Sequence, residues 1–179
     1  RSNVFEGLTE TQAREIILKL VDEYCKRYHR PKAFSEEDKI PYASRIYDSE
    51  EMHSLVDSAL EFWLTSGRYT ERFEAELASY LGVRFCSLVN SGSSANLLAF
   101  MALTSPLLGE REIRRGDEVI TVAAGFPTTV APIVQFGAVP VFVDATLPQY
   151  NIDVSQLESA CSERTKAVML AHTLGNPFN

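Results

Sequence analysis

The sequence predicts an α/β fold, in which a mostly parallel sheet is flanked by helices and preceded by an N-terminal helical extension. Short apolar runs occupy residues 85–89, 118–122, 139–143 and 166–171, and their length and β-branched content are typical of strands. Segments with apolar residues at helical spacing separate these runs. Strands that alternate with helices favour a parallel sheet joined by right-handed crossovers.

The N-terminal extension is predicted as one long helix followed by a linker. Thr9 and Gln12 have the spacing of a capping box, and the apolar residues that follow recur on one helical face. Residues 30–41 are charged and bounded by prolines, which is typical of a linker. We therefore expect a boundary between residues 1–39 and residues 40–179.

Two more helices are expected before the first strand. Ser49 is the predicted cap of one, which would run toward Gly67 with Trp63 on its buried stripe. Thr70 is the predicted start of the next, which would end at Gly82. Its inward side chains are expected to be Phe73, Leu77 and Leu81.

A turn rich in serine follows the first predicted strand and leads into a helix at about residues 94–103. The first N–H groups of a helix lack intrahelical partners and attract anions. Gly92 would let a phosphate approach the backbone, and Ser93 and Ser94 would add hydroxyl donors. The alternative is that Ser93 or Ser94 only caps the helix. The turn lacks the lysine of a nucleotide P-loop and the three glycines of a dinucleotide fingerprint.

Other candidate residues follow the later strands, at the edge of a parallel sheet where ligands usually bind. Phe126 lies in the turn after residues 118–122, where an aromatic ring would stack on a flat cofactor or else belong to the core. Asp144 is a candidate catalyst or an ordinary turn residue. His172 is a candidate acid or base or a structural residue.

The composition narrows the class of partner. The net charge is −7, which argues against nucleic acid or an anionic membrane as the main partner. Apolar runs long enough for a membrane span and a signal-peptide pattern are both missing from these residues. Cys25, Cys86 and Cys161 lie too far apart for a metal-ligand motif, so we expect buried, reduced thiols in a cytoplasmic protein.

Several motifs resemble those of the DegT/DnrJ/EryC1/StrS nucleotide-sugar aminotransferase family, whose members are pyridoxal phosphate enzymes of the aspartate-aminotransferase fold type. The resemblance lies in residues 81–83, 89–97, 116–120, 137–144 and 152–153. It implies that Gly92, Ser93 and Ser94 hold the cofactor phosphate and that Phe126 stacks on the pyridine ring. It also implies that residues 40–179 are the N-terminal part of a large cofactor-binding domain, with the rest of that domain and a C-terminal domain outside this chain.

Residues 124–130 and 172–177, together with the long N-terminal helix, are most similar to one branch of that family, the CDP-4-keto-6-deoxyglucose 3-dehydrases of 3,6-dideoxyhexose synthesis. This resemblance implies pyridoxamine 5′-phosphate or pyridoxal 5′-phosphate as cofactor, a CDP-sugar substrate and a [2Fe–2S] cluster. A homodimer and an NADH-dependent flavin/iron–sulfur reductase are implied as well. The catalytic residues and the cluster ligands are expected after Asn179. Lys166 stands at the start of its strand, at the sheet edge opposite the candidate site, so a Schiff-base role is not expected for it.

Two other functions stay open on the sequence. An ordinary pyridoxal-phosphate-dependent nucleotide-sugar aminotransferase would differ by a lysine where the dehydrase branch has histidine. A non-catalytic α/β scaffold or interaction domain would use the serine-rich turn only as a helix cap. In a homodimer, residues 42–45 and 68–70 would face a substrate or a neighbouring subunit.

Overall fold

The computed structural model describes residues 4–30, 33–41 and 43–179. Its contacts divide the chain into two compact units, Arg1–Cys86 and Ser87–Asn179. We call them the helical unit and the sheet unit. The boundary expected between residues 39 and 40 stays a prediction.

The described part of the helical unit contains three helices: α1 (Glu10–Tyr28), α2 (Ser49–Glu61) and α3 (Arg68–Leu81). The capping box predicted for α1 is confirmed, since the Gln12 N–H donates to Thr9 Oγ1 (3.3 Å) and the Thr9 N–H donates to Gln12 Oε1 (2.9 Å). Because α1 packs against α2, the N-terminal helix is an integral part of this unit.

The helices differ from the prediction at their ends. Asp48, not Ser49, caps α2, because its carboxylate accepts from the Glu50 N–H (2.7 Å) while Glu51 completes a capping box. The helix ends at Glu61, so Trp63 lies beyond it and is 64% exposed, and its predicted place in the core is wrong. The helix α3 begins at Arg68, two residues before the predicted start.

The predicted inward face of α3 is also largely wrong. Phe73 is 45% exposed and Leu81 is 59% exposed, whereas Ala78 is buried. Leu77 is half-buried. The reason is that apolar spacing defines a helical stripe but not how much of it the neighbouring elements cover.

The sheet unit confirms the predicted fold class. Its three-stranded parallel sheet has the order β2-β1-β3, with β1 at Glu118–Val122, β2 at Val139–Val143 and β3 at Thr165–Val168. The helices are α4 (Gly92–Leu103), α5 (Pro127–Phe136) and α6 (Leu157–Ala160). Short 3₁₀ segments cover Pro106–Arg111, Val154–Gln156 and Thr173–Gly175.

The central strand β1 is buried on both faces. Val119 packs in a cluster with Phe100 of α4 and Ile133 of α5. Two other residues of β1, Ile120 and Val122, pack on the opposite face in a second cluster with Val143 and Ile152. The helix α6 lies against that second cluster. Since side chains alternate across a strand, helices must cover both faces of the sheet.

Two predicted strands differ from the structure. Residues 85–89 belong to no strand ladder in the described part of the chain, and Phe85 is 82% exposed. An apolar run becomes a strand only where a neighbouring strand offers backbone partners, and no strand of the described residues pairs with this run. The run at residues 166–171 forms a shorter, half-exposed strand, β3, because it lies at the sheet's edge in this structure.

The three cysteines are free thiols, as expected, but they are not all buried. Cys25 is buried, Cys86 is intermediate and Cys161 is exposed. Exposure of Cys161 follows from its position at the end of α6, where the chain turns toward β3. Among the helices of the described residues, none is both long enough and apolar enough to cross a membrane.

Candidate functional site

The parallel sheet brings several candidate residues toward one edge of the sheet unit. The chain leaves the carboxyl end of β1 through residues 123–126 and enters α5, while Asp144 follows β2 and His172 lies beyond β3. The helix α4 packs against α5. The edge therefore carries the first turn of α5 and loops from all three strands.

Ser91 caps the start of α4. The Ser94 N–H donates to Ser91 Oγ (3.2 Å), and Ser91 Oγ donates to Ser94 Oγ (3.2 Å). Because Ser94 Oγ is the acceptor in its bond with Ser91, the Ser94 hydroxyl can still donate its own hydrogen to a ligand. The prediction that Ser93 or Ser94 is the cap is wrong, because the helix begins at Gly92 and places its cap one residue earlier.

The start of α4 offers open space and unused donors. Apart from the adjoining residues and the backbone of α4, no atom of the described residues lies within 4 Å of the position that a Cβ on Gly92 would take. Within the described residues, the N–H groups of Gly92 and Ser93 have no acceptor, and both residues are exposed. Two backbone donors, two serine hydroxyls and the positive end of the helix dipole fit an anion of phosphate size.

Phe126 lies at the N-cap of α5, directly before Pro127 in the first helical position. Its side chain is 69% exposed, so the alternative that Phe126 is a core residue is wrong. An exposed aromatic ring at the start of a helix is available to stack on a planar ligand.

A side-chain hydrogen bond connects the second turn of α4 with the first turn of α5. Asn96 Nδ2 donates to the carbonyl oxygen of Thr128 at 3.4 Å, in a partly buried position. Asn96 lies one turn after Gly92, and Thr128 lies two residues after Phe126. The elements that carry the predicted phosphate donors and the predicted stacking ring are therefore in direct contact.

The other two candidates have local roles in the structure. Asp144 Oδ1 accepts from the N–H of Ala145 (2.8 Å), as expected for a turn residue. The His172 ring stacks on Phe178, with centroids 4.2 Å apart, and His172 Nδ1 accepts from the Phe178 N–H (3.4 Å). Neutral His172 therefore carries its proton on Nε2.

Lys166 lies at the amino end of β3, at the edge opposite to these residues, as the sequence predicts. Its Nζ donates to the carbonyl oxygen of Glu110 (3.2 Å). A polar cleft at that edge is lined by Lys166 and neighbouring charged residues. The described residues hold no group of three or more His, Cys, Asp or Glu side chains that would bind a metal ion.

In the helical unit, two of the predicted substrate-facing or subunit-facing residues 68–70, Arg68 and Tyr69, join an ion-pair network. Asp57 accepts hydrogen bonds from Arg14, Arg68 and the Tyr69 hydroxyl (2.6 Å for the last). The bonds from Tyr69 and Arg68 lower the pKa of Asp57 from 3.8 to about 2. Of residues 42–45, Tyr42 lies outside the described residues, and Arg45 lines an open groove with Tyr47.

Sequence reasoning missed Ser91 as the cap and Asn96 as the contact between helices. The spacing Ser91-x-x-Ser94 was a usable signal, since an N-cap side chain bonds the N–H three residues later. Asn96 stands alone as a polar residue in the apolar stretch that begins at Ala95, which was a weaker signal.

Comparisons with known proteins identify the family of this chain. The model of the DegT/DnrJ/EryC1/StrS aminotransferase family matches residues 46–179. The chain is 49% identical over 173 residues to the lipopolysaccharide biosynthesis protein RfbH of Salmonella typhimurium, covering 96% of this chain and 40% of RfbH. It is also 49% identical over 166 residues to dTDP-4-dehydro-2,6-dideoxy-D-glucose 3-dehydratase of Saccharopolyspora spinosa, covering 93% of this chain and 36% of that enzyme.

A solved structure of GDP-4-keto-6-deoxymannose-3-dehydratase with a trapped PLP-glutamate geminal diamine has the same fold. The TM-score is 0.70 and the identity 35%, over 79% of this chain and 36% of that one. The chain thus spans about two fifths or less of the length of these relatives. Since the family model covers residues 46–179, the chain belongs to the DegT/DnrJ/EryC1/StrS aminotransferase family.

Proposed function

We propose that the protein is a pyridoxamine-phosphate-dependent 3-dehydratase of a nucleotide-linked 4-keto-6-deoxy sugar, and that this chain carries its cofactor-phosphate site. The observation that supports this most is the open start of α4 next to the α5 turn that presents Phe126. The similarity to sugar 3-dehydratases supports the reaction class.

In this proposal the start of α4 binds the cofactor phosphate. The N–H groups of Gly92 and Ser93 donate to phosphate oxygens, and the hydroxyls of Ser93 and Ser94 add two more donors. Ser91 keeps the Ser94 hydroxyl oriented, because Ser91 Oγ donates to Ser94 Oγ. Charge-assisted bonds of this kind contribute about 1.5–3 kcal/mol each.

Phe126 would orient the cofactor ring. A stacked aromatic contact contributes roughly 0.5–1.5 kcal/mol beyond burial and fixes the plane of the ring. When bound, the cofactor supplies an electron sink for loss of the sugar's C3 hydroxyl group. The residues of this chain would bind and orient it, and the acid–base group would come from residues after Asn179.

We also propose the finer assignments that the resemblance implies. These are CDP-4-keto-6-deoxyglucose as substrate in the 3,6-dideoxyhexose branch of O-antigen synthesis, a [2Fe–2S] cluster, a homodimer, an NADH-dependent flavin/iron–sulfur reductase as partner, and a cytoplasmic location. The similarity to a lipopolysaccharide biosynthesis protein supports the pathway. The resemblance assigns the cluster ligands to residues after Asn179.

A nucleotide-sugar aminotransferase is the second candidate, and the description of the family favours it. The two functions need the same phosphate site and differ in the acid–base residue. We distinguish them by incubating the enzyme with CDP-4-keto-6-deoxyglucose and the cofactor, with and without glutamate. Loss of the C3 oxygen supports the dehydratase, whereas glutamate-dependent formation of a 4-amino sugar contradicts it.

The cofactor site itself is tested with Phe126→Ala. We expect the affinity for pyridoxamine 5′-phosphate, measured by absorbance titration, to fall roughly threefold to tenfold, because a stacking contact is lost. Phe126→Tyr keeps the ring and should bind like the wild type. Unchanged affinity in Phe126→Ala would contradict the proposed site.

A further inference from the structure

A proline inside α5 leaves one backbone carbonyl without its usual donor. In an α-helix the carbonyl of Thr128 accepts from the N–H four residues later, which is the position of Pro132. Proline has no N–H, so this bond cannot form. Thr128 therefore has an acceptor at the start of α5 that needs a donor from another element.

Asn96 supplies that donor from α4. Its Nδ2 donates to the Thr128 carbonyl oxygen at 3.4 Å, and Pro132 itself is buried. Asparagine is a poor helix former, and it interrupts an apolar stretch in which leucine or alanine would be more stable. The free-energy cost of placing Asn96 there is offset by its hydrogen bond to the Thr128 carbonyl, which Pro132 leaves without a helical donor.

The bond joins the two parts of the proposed cofactor site. Gly92 begins α4 one turn before Asn96, while Phe126 precedes Thr128 by two residues. One side chain, Asn96, therefore fixes the start of α4 relative to the first turn of α5, and it is neither a phosphate donor nor the stacking ring.

We propose that Asn96 is a positioning residue that sets the distance between the phosphate-binding turn and the Phe126 ring. The inference rests on the proposed function, since it assumes that both ends contact one cofactor. Asn96 acts through α5 and does not touch the ligand. Its loss should leave the phosphate contacts in place and weaken the stacking contact.

The test is a double-mutant cycle on the holoenzyme with pyridoxamine 5′-phosphate as the probe. Asn96→Leu removes the donor without adding charge, and Asn96→Ala does so without added bulk if the leucine variant folds poorly. We expect roughly threefold to tenfold weaker cofactor binding in the wild-type background and less than a twofold change in the Phe126→Ala background. The circular dichroism of the bound cofactor should change as its ring reorients.

Controls separate this inference from the proposed function. Asn96→Gln keeps an amide donor and should restore most of the affinity and the circular dichroism signal. Equal losses of affinity in the two backgrounds, or none in either, would overturn the positioning role while Gly92→Ala and Phe126→Ala still weaken binding. If Gly92→Ala and Phe126→Ala leave the affinity unchanged, the proposed function and the positioning role are both wrong.

Discussion

Two helix starts in this chain, those of α3 and α4, follow glycine-containing turns but differ in what covers them. At α3, the N-cap Gly67 lies against the indole of Trp63, and a Cβ there would come within 2.9 Å of Trp63 Cδ1. At α4, the space around Gly92 is open and Ser91 caps the helix. Only the second start has both donors and room for an anion.

The two helix starts also differ in the charged side chains around them. Arg68, the first residue of α3, donates to Asp57 and Glu61, so the charges near that helix start are already paired. The start of α4 has no acidic side chain in its first turn. A helix N-terminus thus becomes a candidate ligand site where the fold leaves it uncovered, and the helix dipole alone does not decide this.

The largest expected effect tests the division of the sheet unit into a buried core and an exposed candidate site. Phe100, in α4, is 1% exposed and packs in the cluster with Val119 and Ile133. Phe100→Ala should lower the free energy of unfolding by about 3–5 kcal/mol, measured by urea denaturation. The same change at Phe126 should lower it by less than about 0.5 kcal/mol, because that ring is exposed. Similar losses at both positions would contradict the division into core and site.

The sequence was sufficient where local signals and packing agree. The strands β1 and β2 have the bounds that the apolar runs predict, and α5 begins at Pro127 and ends before Gly137 as its proline and glycine indicate. The buried residues of β1 and α5 pack against neighbouring elements of the same unit, whereas β2 lies at the sheet's edge in this structure and only Val143 is buried in it.

Prediction failed where a partner decides the outcome. Residues 85–89 were predicted to form a strand, but no strand lies beside them in the described chain. Trp63 was predicted to lie in the core, but it lies beyond the end of α2. For the candidate site, the sequence indicated the serine-rich turn and Phe126, and the structure leaves both exposed at helix starts, while their roles stay predictions. Ser91 as the cap and the contact from Asn96 to Thr128 were not indicated, because helix starts and contacts between helices depend on backbone geometry.

The next effect compares the two glycines directly. Gly92→Ala should weaken binding of pyridoxamine 5′-phosphate roughly 10–100-fold, because a methyl group in the open space would displace the phosphate from at least one donor worth about 1.5–3 kcal/mol. Stability should not fall, since alanine favours helix and meets no protein atom at that position. Affinity for pyridoxamine, which lacks the phosphate, should stay the same.

Gly67→Ala is the matched control. It should leave cofactor affinity unchanged but move the Trp63 ring, which a new methyl group would contact. The part of the protein's fluorescence that Trp63→Phe removes reports this movement. Weaker cofactor binding in Gly67→Ala than in Gly92→Ala would reverse the comparison between the two helix starts.

The smallest expected effect concerns the charges at the start of α3. The pKa of Asp57 is about 2 in the folded protein and 3.8 without its partners, so its contribution to stability is complete above about pH 4 and is lost as the pH falls through 2. We expect this contribution to be about 1 kcal/mol or less, because Arg68 is half-exposed and solvent screens the pair. Urea unfolding at pH 5 and pH 2.5 should therefore show a smaller loss of stability in Asp57→Asn than in the wild type, with Glu15→Gln, on the exposed surface of α1, behaving like the wild type. If Asp57→Asn and the wild type lose the same stability on acidification, the ion pairs of Asp57 do not stabilise the start of α3. The indole of Trp63, which lies against Gly67, would then be the feature that distinguishes this helix start from that of α4.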